Sequence, residues 1–67
     1  MRYKAVIKNA VGDGFSELFH EFTMFELGNI RVINFVDCEI EFDETNKIKV
    51  LESLRFYRLK PESIEEL

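Results

Sequence analysis

Residues 2–8 set Tyr3, Ala5 and Ile7 against Arg2, Lys4 and Lys8, a period-two pattern that predicts a strand with one inward face. The stretch 9–14 breaks this pattern with Gly12 and Gly14 around Asp13, a residue suited to capping a helix. The period then changes. At about 100° per residue, Phe15, Leu18, Phe19, Phe22 and Phe25 share one stripe, which predicts a helix over 15–27. Glu26 is a misfit on that stripe, and Gly28 stands where a left-handed residue would end the helix. A rival reading makes Gly28-Asn29 a two-residue hairpin turn. The helix is preferred because neither parity of 15–27 alternates cleanly.

Residues 30–42 carry the strongest strand signal. Val36, Cys38, Ile40 and Phe42 face one way, and Asp37, Glu39, Glu41 and Asp43 the other. Ile33 and Phe35 have the opposite parity, so a bulge or bend is expected near 34–36, giving one kinked strand or two short ones. Residues 44–46 then read as a hairpin loop. It would place Asp43 opposite Lys47, Glu41 opposite Lys49 and Ile40 opposite Val50, matching charge to charge and apolar to apolar. An antiparallel hairpin over 36–50 is predicted. After Val50 neither period fits well; a short strand over 54–59 is expected, with a helix over 50–58 as the alternative. Pro61 then suits the first turn of a short helix over 61–67, with acids near its start.

The order is β-α-β-β-β-(β)-short α. It implies an α+β fold, with one amphipathic helix packed on a small antiparallel β-sheet, as a single domain over 1–67. That layout is similar in outline to the cystatin/monellin arrangement, as architecture alone. No motif of that family is present, and no function or residue is carried over.

Composition narrows the chemistry. A chain of 67 residues has a marginal core. Cys38 is the single cysteine and His20 the single histidine, so neither an intrachain disulfide nor a common zinc set is available. The expectation is no metal and no cofactor. A lone cysteine fits a reducing compartment. The run Ala5-Val6-Ile7 is too short for a signal-peptide core, and no apolar stretch reaches membrane-span length. The expected location is cytoplasmic, with no membrane partner.

The candidate chemistry is sparse. Gly12-Asp13-Gly14 lacks the third glycine or the Gly-Lys-Ser/Thr of a phosphate loop and reads as a turn before a helix. Glu17, His20 and Glu21 share helical spacing and read as a solvated helix face. Cys38 lies in an apolar stripe and reads as core. Asp37, Glu39, Glu41 and Asp43 form an acidic stripe with about 7 Å between successive residues, a candidate interaction face. Lys47, Lys49, Arg55, Phe56, Tyr57 and Arg58 have the basic-aromatic composition of a single-strand nucleic-acid binder. The net charge of −4 opposes that second reading, and nucleic acid is not the expected partner.

The function expected is that of a small acidic interaction or regulatory protein. It would be non-catalytic and act by binding another protein, with single-stranded nucleic-acid binding through 47–58 as the alternative. A homodimer is also expected. One helix and one sheet leave Met24, Leu27, Leu51, Tyr57 and Leu59 without an obvious interior, and an edge strand at 2–8 or 54–59 would pair with its mate.

Overall fold

A computed structural model describes residues 1–12 and 14–67 of the chain. The elements are β1 (Arg2–Ile7), α1 (Phe15–Met24), β2 (Gly28–Ile33), β3 (Asp37–Asp43), a 3-10 turn (Glu44–Asn46), α2 (Lys47–Phe56) and β4 (Pro61–Glu66). The strands lie in the order β2-β3-β1-β4, and every neighbouring pair is antiparallel. The fold class is the α+β arrangement expected, with α1 amphipathic against an antiparallel sheet. Its connectivity, however, is that of the split β-α-β, or ferredoxin-like, unit. The cystatin/monellin outline does not hold, because a second helix occupies the chain between β3 and β4.

That second helix replaces the predicted 36–50 hairpin and the predicted strand over 54–59. The reason is positional. Asn34, Phe35 and Val36 turn the chain so that β2 takes one edge of β3, with Ile30 beside Ile40, while β1 takes the other. No edge of β3 is left for Lys47–Val50. The segment instead winds into a helix whose buried face carries Val50, Ser53 and Leu54 at helical spacing. Asp43 helps to start the turn, accepting from the Thr45 hydroxyl at 3.0 Å.

Residues 61–66 are a strand, not the short helix expected. Pro61 begins an edge strand, a position that tolerates a missing N–H. The acidic run then finds partners on β1, with Glu65 opposite Lys4 and Ile64 opposite Ala5. β1 is therefore central in the sheet, and 54–59 is the last turn of α2 with the stop that follows it. Neither can be the dimerising edge proposed for it; the free edges belong to β2 and β4.

Both helices stop in the same way. After α1, Glu26 adopts φ +50 and Leu27 donates its N–H to the Phe22 carbonyl at 3.1 Å. After α2, Arg58 adopts φ +59 and Leu59 donates to the Leu54 carbonyl at 2.8 Å. Each is a Schellman stop, closed by a buried pair, Leu27 with Phe22 and Leu59 with Leu54. Glu26, the misfit of the stripe, thus holds the left-handed position assigned above to Gly28. Gly28 (φ +151) instead begins β2, where an added Cβ would overlap the Glu41 carbonyl oxygen. Gly14 precedes α1 in a left-handed conformation. The helix cap expected from Asp13 lies outside the described residues.

The core lies between the sheet and the two helices. Leu18 and Phe22 of α1 meet Ile7, Cys38, Ile40, Phe42 and Val50, and Tyr3 stacks on Phe42 at 5.6 Å. The added helix also houses most of the apolar surplus: Leu27 and Leu59 are buried, and Leu51 and Tyr57 pack against the core. Met24 stays outside, as do Phe19 and Phe25 of the α1 stripe. The stripe is wider than the surface available to cover it.

Candidate functional site

The acidic stripe exists, but its carboxylates are engaged. Glu39 lies between Arg31 at 2.7 Å and Lys4 at 3.8 Å, and Glu41 faces Arg2 at 3.7 Å. Asp37 is buried. Its Oδ1 accepts the Asn9 backbone N–H at 2.8 Å, and Lys8 approaches Oδ2 at 3.4 Å. The backbone bond, then the Lys8 contact, hold this carboxyl below the usual aspartate range against the opposing effect of burial. Asp43 is likewise held down, chiefly by the Thr45 hydroxyl. The open sheet face is a lattice of opposite charges rather than a field of one sign.

The basic-aromatic segment is dispersed. Lys47 sits 4.4 Å over the Tyr3 ring and Lys49 4.9 Å over the Phe25 ring. The Tyr57 hydroxyl donates to Glu21, while Arg55 and Phe56 are exposed further along α2. The set is split: Phe56 and Tyr57 pair with ring centroids 5.0 Å apart and Arg55 and Arg58 line one groove, whereas Lys47 is drawn away to Tyr3. Glu21 is also not the solvated residue expected, since its carboxylate crosses to α2 and accepts from both Tyr57 and Ser53. The Tyr57 bond first, and Ser53 second, lower its pKa; the Tyr57 phenol is raised in return. Glu17 and His20 remain exposed.

Cys38 is fully buried, and burial first, then Asp37, pushes its thiol up to about 11. A neutral, enclosed thiol is a poor nucleophile. Among the described residues no three His, Cys, Asp or Glu side chains gather as a metal site. Among the described residues no helix is long and apolar enough to cross a membrane.

The conspicuous surface feature is one that the sequence reading missed. At the β2–β3 turn, Val36 N–H donates to the Asn34 carbonyl at 2.8 Å, closing a three-residue γ-turn around Phe35. Asn34 has φ +51 and Phe35 φ +66. Asparagine tolerates that region, whereas a phenylalanine there is strained by about 1–2 kcal/mol. Phe35 is nevertheless 92% exposed, so burial gives it no compensation. Val11 donates its N–H to the Val36 carbonyl at 3.0 Å, which joins the 8–12 loop to the same end of the sheet. Val11, Val32 and Val36 are all exposed there. α1 packs along β2, and its Phe15 and Phe19 rings lie 5.8 Å apart. The signal available beforehand was the parity break at 34–36, with asparagine leading it.

No family model, curated protein or solved structure matches the chain.

Proposed function

We propose that this chain is a non-catalytic protein-binding module of the cytoplasm whose contact surface centres on Phe35. The strained, fully presented aromatic carries this reading. Folding alone would favour glycine or asparagine at that φ, so the ring is held where it costs stability and contributes nothing to the core. Large aromatics that enter a partner's pocket supply most of the energy at protein interfaces. The exposed valines around Phe35 provide the apolar surround such a contact needs, and the charge-paired sheet face offers a polar border. The inert thiol of Cys38 supports the non-catalytic part of the reading.

The test is site-specific photocrosslinking in the native host. Benzoylphenylalanine replaces Phe35 in one strain and Glu41, on the sheet face, in another. A discrete adduct from position 35, absent from position 41, is expected. Its mass distinguishes a second copy of the chain, the homodimer anticipated above, from a different protein. No adduct at 35, or equal adducts at both positions, overturns the proposal.

A further inference from the structure

Apart from the Phe35 surface, a groove of about 500 Å³ lies between α2 and the start of β4. Leu51, Leu54, Leu59 and Pro61 form its apolar lining, and Arg55, Arg58 and Lys60 complete it. A second, more polar depression of about 510 Å³ shares Arg58, Leu59 and Lys60 with the first and adds Lys8 and Asn9. Among the described residues neither lining contains a carboxylate.

We infer that this groove binds a small anionic amphiphile, a carboxylate carried on an aliphatic chain. The tail lies against Leu51, Leu54, Leu59 and Pro61, and the carboxylate lies at Arg58 and Lys60.

Three observations support that occupant. The cations of the sheet face, Arg2, Lys4, Lys8 and Arg31, each have a carboxylate within 4.0 Å. Among the described residues, Arg55, Arg58 and Lys60 have none, in a chain of net charge −4. A positive rim beside an apolar channel is complementary to an anion with a hydrocarbon body. Size agrees as well, since small-molecule sites are mostly apolar clefts of about 300–1,000 Å³ with a few convergent polar groups. Lastly, Arg58 occupies the left-handed stop of α2, where glycine would be more stable. Folding does not require a guanidinium there, and the exposed Arg58 places one at the rim of the groove.

Decanoate, below its micelle threshold, is the probe, followed by amide and methyl NMR shifts of the intact chain. Saturable shifts at Leu51, Leu54, Leu59 and Lys60 are expected, with decanol binding at least tenfold more weakly and decyltrimethylammonium not at all. The variant Arg58→Gly with Lys60→Gln should lose at least tenfold in decanoate affinity while its decanol affinity stays within twofold. Glycine suits the φ at 58, so the fold survives the change, and an unchanged amide spectrum elsewhere verifies this. No decanoate shifts in the groove, equal binding of the cationic amphiphile, or an unaffected double variant overturns the inference. Binding of an acidic leucine-containing peptide in place of decanoate overturns it too, because that result assigns the groove to a protein.

Discussion

Ser53 of α2 donates its hydroxyl to Glu21 of α1 at 2.7 Å, and Tyr57, one turn further on, donates to the other oxygen of the same carboxylate. One acid thus ties the two helices together above the core. Ser53 is 4% exposed, so without Glu21 its hydroxyl would be buried without that partner. Glu21→Ala should cost about 2 kcal/mol, the loss associated with hydrogen bonds to a charged group. Urea denaturation measures it. A loss below about 0.5 kcal/mol, the scale of an ordinary surface change, would contradict the clasp.

Acid should weaken the fold through Asp37 and Glu21. Both carboxyls are held below their usual range, Asp37 mainly by the Asn9 N–H and Glu21 mainly by Tyr57. A depressed folded pKa adds stability that is present above the unfolded pKa and is lost as pH falls through the folded one. The melting temperature should therefore decline below about pH 4.5. Asp37→Asn should be less stable than the parent at neutral pH, and the gap should close as the solution is acidified. A gap constant from pH 7 down to about 2 would show that the ionised carboxylate adds nothing.

Gly28→Ala should be among the most damaging small substitutions. Its φ of +151 disfavours any side chain, and the new methyl would meet the Glu41 carbonyl oxygen, a backbone atom that cannot swing aside. A loss of about 3 kcal/mol is expected, at the upper end of ordinary single-site effects. Asn29→Ala, next along the same exposed edge, should stay within about 0.5 kcal/mol. Comparable urea midpoints for the two variants would contradict the close approach of β2 to β3.

Phe35→Gly should separate stability from binding. Glycine accepts φ +66 without strain, so the melting temperature should rise, by the equivalent of about 1 kcal/mol. A photoreactive residue placed at Val36 should at the same time lose the partner adduct it forms in the parent. Stabilisation with full retention of the adduct would remove Phe35 from the contact.

Legibility in the sequence followed how local each cause is. The strand of Tyr3, Ala5 and Ile7, the helix of Leu18 and Phe22, and the burial of Cys38 all follow from short-range periodicity. The 36–50 hairpin failed although every cross-strand pair matched, because a distant strand already held the β3 edge that Val50 would have needed. Lys47 and Lys49, assigned there to acids, lean instead on the rings of Tyr3 and Phe25. Glu65 looked helical beside Pro61 because its partner, Lys4, lies at the other end of the chain. Phe35 escaped notice for a different reason. Apolar content alone suggests core, and only the backbone angle and exposure show that this ring points away from it.

The central place of β1 governs how the fold can be reached. This strand leaves the ribosome ahead of both strands that flank it, β3 and then β4, while the helices between them can form as they appear. Until those flanking strands arrive, Tyr3, Ala5 and Ile7 have no sheet to join. The slow step is then long-range ring closure by the backbone rather than helix growth, and its pace follows contact order. Until β3 and β4 have both paired with it, β1 keeps open backbone edges that chaperones and proteases can reach.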